Sequence, residues 1–151
     1  MRRLRDNPRR QQAGSELVEL AVLLPCLMLL TLVVSEFAAV VSAHQVLDNA
    51  AREGARLAVV PGELSQTGDV KNRVISYAAA NGITLSTSDI TVNQGLTVNP
   101  GSGACSASNP CIGASQVSIN YHYPLSYLPQ LPFGIPSSMA LGAAVEMRNF
   151  Y

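Results

Sequence analysis

The sequence predicts an α+β protein: a long N-terminal membrane-spanning helix packed on a small antiparallel sheet, with one short extra helix. Three observations carry that expectation. Residues 20–34 form an apolar run free of charge. A helical pattern then continues to Pro61-Gly62 with no proline and only Gly54 to interrupt it. From residue 90 onward the apolar residues recur at a period of two, the spacing of half-buried strands.

The elements follow in chain order. Residues 1–14 carry Arg2, Arg3, Arg5, Arg9 and Arg10 against Asp6, and include Pro8. They read as an unstructured basic leader. The formal net charge of the 151-residue chain is +0, so the remainder is mildly acidic. Phosphate binding needs a basic face on the folded part, which excludes nucleic acid as a partner. A basic start ahead of an apolar run is instead a positive-inside signal. It places the N-terminus in the cytoplasm and the C-terminal domain outside, which in a bacterial cell is the periplasm beyond the inner membrane.

A bilayer span needs roughly 20 apolar residues. Residues 20–34 fall short of that, and the span is completed to about residue 41 only by passing Ser35 and Glu36. The helix as a whole is expected over residues 15–60, roughly 65 Å at 1.5 Å per residue. Only half of that fits in a membrane, so the rest projects and carries the domain. Leu47, Ala51, Gly54 and Ala58 recur along one stripe, and Ala50 and Ala55 beside them are equally small. This is expected to be the face that packs on the domain, in preference to a groove for a partner.

Residues 61–151 form the periplasmic α+β domain. In residues 67–82, Asp69 is placed as an N-cap, Val70, Val74 and Tyr77 or Ala78 share one face, and Asn81-Gly82 is a stop. One or two short strands are expected at residues 90–92 and 96–98. A further strand places Val117, Ile119, Tyr121 and Tyr123 on one face, and a closing strand does the same with Leu141, Ala143, Val145 and Met147. Between them, Pro124, Pro129, Pro132 and Pro136 exclude regular structure.

No catalytic constellation is present. There is no nucleophile elbow, phosphate loop or zinc-protease motif, and His44 and His122 are isolated. The chain is expected to be no enzyme, with no cofactor, no metal and no small-molecule substrate. Cys26 lies in the apolar run, whereas Cys105 and Cys111 sit in a Gly/Ser/Asn/Pro loop. Two thiols so spaced in an oxidising compartment read as a disulfide. Closing so short a loop stabilises by about 2 kcal/mol on the chain-entropy account.

Two acids stand at the threshold of the apolar run, Glu16 and Glu19. Two cuts and one uncut form compete to explain the N-terminus. Val41-Ser42-Ala43 satisfies the small-x-small rule for signal-peptidase release before His44. An uncut chain would be a membrane-anchored periplasmic binding module. The third possibility is a cut after Gly14, which makes Ser15 the new N-terminus. Its cationic amine then lies one helical turn from the Glu19 carboxylate and can pair with it, or with that of a neighbouring subunit. Such a pair in apolar surroundings acts as a register device more than as a source of stability.

The run Gly14-Ser15-Glu16-Leu17-Val18-Glu19, followed at once by an apolar helix, resembles the processing site of type IV prepilins. There a glycine precedes the cut and a glutamate is the fifth residue of the mature chain. More narrowly, the chain resembles the TadE-like family of minor pseudopilins from the tight-adherence (Flp) system. The matching residues are "ELAVLLP" at 19–25, the pair Glu36-Phe37 and "NAAREGARLAVV" at 49–60. The late cysteines and "AAVEMR" at 143–148 fit more loosely, and Leu20 stands where the family usually shows an aromatic residue. The resemblance implies a pilin-like fold and cleavage between Gly14 and Ser15 by a prepilin peptidase. It also implies insertion in the inner membrane and assembly with other pilins and Tad components in adhesion, biofilm formation and secretion.

Overall fold

The computed structural model describes residues 8–60, 66–99, 110–130 and 134–149. Helix α1 spans Pro8–Ala58 and is 51 residues long, about 76 Å at the standard rise. It therefore starts inside the segment expected to be an unstructured leader. Proline suits the first turn of a helix, where its missing N–H has no intrahelical partner anyway. The expected Pro61-Gly62 stop lies outside the described residues. The helix gives way just before it, to a turn in which Val60 N–H donates to Leu57 O at 3.2 Å.

Helix α2, Thr67–Ala80, follows. Gln66, not Asp69, occupies its N-cap, and Asp69 N–H donates to the Gln66 carbonyl at 3.1 Å. Asp69 thus belongs to the first turn, where a carboxylate favours the positive end of the helix dipole. The other end stops as expected. Gly82 adopts φ +80°, Gly82 N–H donates to Ala79 O and Ile83 N–H to Ala78 O. That reciprocal pair is a Schellman motif, which needs a residue at ease in the left-handed region.

Strands β1 (Ile90–Val98), β2 (Ile112–Pro124) and β3 (Ser138–Arg148) make an antiparallel sheet in the order β1-β2-β3. The one or two short strands expected first form a single strand, broken in register by a bulge between Asn93 and Leu96. A short 3-10 turn, Thr87–Asp89, leads into β1, and another, Leu128–Gln130, interrupts the proline-rich link.

The inward faces are those the alternation predicts. Val117, Ile119, Leu141 and Ala143 are buried, and Tyr121, Tyr123, Val145 and Met147 pack against the same core. The stripe of α1 lies on this face: Val40, Ala43, Leu47, Ala50, Ala51, Ala55 and Ala58 are all buried. α2 adds Val70, Val74 and Ala78. The small-residue stripe is thus the packing face of the domain.

Gly54 marks the closest approach. A Cβ there would strike Val74 Cγ2 well inside van der Waals contact, with Val117 Cγ1 3.5 Å away behind it. The end of α1 is closed by side chains from the sheet. Gln94 Nε2 donates to the Ala58 carbonyl at 3.2 Å. The fully buried Ser115 hydroxyl lies 3.3 Å from that carbonyl and donates at 2.9 Å to Asn149 Oδ1. A helix C-terminus leaves orphan carbonyls, and here strands β1 and β2 supply a donor.

Candidate functional site

The N-terminal half of α1 is the candidate site. Leu17, Val18, Leu20, Val22, Leu23, Leu24, Leu27, Met28, Leu30, Val33 and Val34 are all exposed, as is the free thiol of Cys26. This stretch of helix is long and apolar enough to cross a membrane, and none of it is buried in the domain. Its hydroxyls are satisfied internally. Thr31 Oγ1 donates to Met28 O at 2.8 Å and Ser35 Oγ to Leu32 O at 3.0 Å. That removes the cost of carrying polar groups into hydrocarbon. Pro25 lies inside the helix and deprives the Ala21 carbonyl of its usual donor.

Gly14 and Ser15 both lie within α1, and Glu19 is one turn further on. Glu19 is exposed, and among the described residues it has no ion-pair partner. In this uncut chain the Ser15 nitrogen is a peptide nitrogen, so the amine that would pair with Glu19 does not exist.

Glu36 is a residue of this region to which sequence reading assigns no partner. It is 4% exposed. Its Oε1 accepts from Ser126 N–H at 2.7 Å and its Oε2 from Tyr127 N–H at 3.3 Å. The carboxylate therefore caps the start of the proline-rich link and ties it to α1. A signal was available: Glu36 precedes Val40, Ala43 and Leu47 at helical spacing, so it lies on the core-facing stripe.

Farther up, α1 and α2 are joined by Arg73 Nη2 and Glu53 Oε1 at 2.6 Å, with Arg56 at 4.0 Å from the other oxygen. The Arg73 hydrogen bond holds the Glu53 carboxyl below its ordinary 4.5, against an opposing effect of burial. In the turn before β1, the Ser86 backbone N–H and then its hydroxyl hold Asp89 below its ordinary 3.8. A carboxylate depressed in the folded state stabilises above its unfolded pKa and loses that contribution as pH falls through the folded value. Arg73→Ala should thus lower stability at pH 7 by the few tenths of a kcal/mol usual for a half-exposed pair. The gap from wild type should close below about pH 4 in acid-unfolding curves.

His44 Nδ1 lies 3.3 Å from Asp48 Oδ2 along the exposed side of α1. His122 sits on the outer face of β2 and is exposed. Cys111 is half-buried just before β2, whereas Cys105 lies outside the described residues.

Residues 14–56 match the family model of the TadE-like protein. The match begins at Gly14 and ends at Arg56, within α1. No curated protein and no solved structure matches the chain.

Proposed function

We propose that the chain is a minor pseudopilin, cut after Gly14 by a prepilin peptidase and taking part in assembly of a Tad-type pilus. Residues 1–14 are the basic leader, and the span over about residues 20–41 holds the chain in the bacterial inner membrane. Residues 61–151 stand in the periplasm. One observation carries this reading. A single helix presents an unburied apolar half directly after Gly14-Ser15 and Glu19, while its other half is the spine of the folded domain. Such a rod can leave the membrane laterally and pack against the equivalent half of other pilins. The Ser15 amine and Glu19 then set the register between neighbours. The role is one of assembly, without catalysis.

N-terminal sequencing of the native protein tests the cut. A start at Ser15 is expected. A start at Met1 would make the chain an uncut anchor, and a start at His44 a released domain. The last outcome conflicts with the burial of Ala43 at 6% exposure in mid-helix. Gly14→Ala should nearly abolish cleavage, because the peptidase reads that position. Glu19→Ala should be cut but fail to assemble, and equal loss of cleavage in both variants would remove the register role of Glu19.

The Cys105–Cys111 disulfide belongs to the same reading. Both thiols should resist labelling in the periplasm until reductant is added. Labelling of either one without reductant would rule out the bridge.

A further inference from the structure

The link between β2 and β3 carries no charged side chain, a property it shares with residues 90–121. Residues 124–145, from the end of β2 through the link into β3, contain no Asp, Glu, Lys, Arg or His. The domain's ion pairs and caps involve residues such as Glu53, Arg73 and Asp89. Within the link, Tyr127 is 56% exposed, and Met139, at the start of β3, is 47% exposed. The neighbouring Phe37 on α1 is 67% exposed.

Glu36 fixes where this surface stands. Its two hydrogen bonds hold Ser126 and Tyr127 beside α1 at the upper end of the apolar run. Leu125 N–H donates to Ser137 O at 3.0 Å, so the returning chain is held there too. The charge-free run of residues 20–34 is about 22 Å long, short of the roughly 30 Å hydrocarbon layer. Completing the span draws Glu36, Phe37 and the tethered Ser126 and Tyr127 into the outer lip of the bilayer. There the Glu36 carboxylate is tolerable because the protein buries it and backbone N–H groups satisfy it.

We infer that the start of the β2–β3 link, at Ser126 and Tyr127, is a second membrane contact, seated in the headgroup layer of the outer leaflet through Tyr127 and Phe37. The occupant of this face is lipid. Aromatic rings with a polar tip settle at that depth, and a surface without charged side chains avoids the largest desolvation cost of leaving bulk water. The contact fixes the tilt of the sheet domain over the membrane. This inference rests on the membrane-anchor part of the proposed function.

The chain contains no tryptophan, so a single substitution gives an unambiguous depth probe. Tyr127→Trp, Leu30→Trp and Val98→Trp would each be made in the full chain. Each would be reconstituted in phosphatidylcholine–phosphatidylglycerol vesicles with brominated acyl chains. Leu30→Trp reports the span, and Val98→Trp reports the far end of the sheet. Tyr127→Trp should emit at shorter wavelength than Val98→Trp and lose about half its emission to lipids brominated near the headgroup, as an interfacial indole does. Val98→Trp should respond only to aqueous iodide.

If Leu30→Trp is quenched by bromolipid and Tyr127→Trp is not, the link inference is wrong while the anchor stands. If neither is quenched, the anchor reading fails with it. Quenching of Tyr127→Trp must also survive dilution to a few chains per vesicle. A blue shift that appears only at high protein density would make a second copy the occupant, and so overturn the inference.

Discussion

Gly54→Leu should leave the full-length chain unable to form its sheet domain, detected as lost protease resistance of residues beyond 60 in detergent. The reason is geometric. α1, α2 and β2 meet at this residue, and the first atom any side chain adds falls on Val74 Cγ2. Val74 is fully buried and β-branched, so it has one comfortable rotamer in a helix and cannot swing aside. Gly54→Ala is the graded version. Alanine gains about 1 kcal/mol of helix propensity over glycine, whereas overpacking costs about 1–3 kcal/mol. A net loss of about 1 kcal/mol should lower Tm by about 4–8 °C in a domain of this size.

The partner substitution gives the decisive comparison. Val74→Ala alone opens a cavity and should cost about 2 kcal/mol. Gly54→Ala then fills part of it, so the double variant should be more stable than the two losses added together. Simple additivity in a double-mutant cycle would mean that α1 and α2 do not meet at this point.

Glu36→Leu is the second large effect. The carboxylate accepts two backbone hydrogen bonds while almost wholly buried. Bonds to a charged acceptor are worth about 1.5–3 kcal/mol each in net terms. Their loss should release the link before the rest of the domain unfolds. Limited proteolysis should cut Glu36→Leu within residues 125–137 under conditions where wild type survives, while α1 and the sheet keep their circular-dichroism signal. Proteolysis at an unchanged rate would show that the link is held by its packing alone. In Tyr127→Trp chains carrying Glu36→Leu, bromolipid quenching should also weaken, since the tether sets the depth of the ring.

Much of this architecture was legible in the residues, and each success has a local cause. The faces of β2 and β3 follow from alternation, because a pleated strand turns successive side chains to opposite sides. The stripe of α1 follows from helical spacing, and the α2 stop follows from Asn81-Gly82. The N-cap of α2 was misplaced by three residues, because Asp69 suits either a cap or a first turn and spacing does not separate the two. The expectation that residues 8–14 are unstructured failed at Pro8, where proline reads equally as a breaker or as the first turn of a helix. Alternation does not decide whether residues 90–98 make one strand or two, because a bulge leaves the same alternating fragments in sequence as a gap does. They make one.

The residues alone determined the apolar span, the acids before it, the packing stripe and the alternating strands, because each is a pattern within a few turns or pleats of chain. Only the tertiary structure decided what Glu36 binds, how the Ala58 carbonyl is capped and how closely Val74 presses on Gly54. Glu36 reaches its partners across 90 and 91 positions, and the Ala58 carbonyl is met by Gln94 and Ser115 from 36 and 57 positions away. Contacts at such separations depend on strand register and on how far each helix end projects past the sheet. Local hydrophobic pattern carries neither quantity.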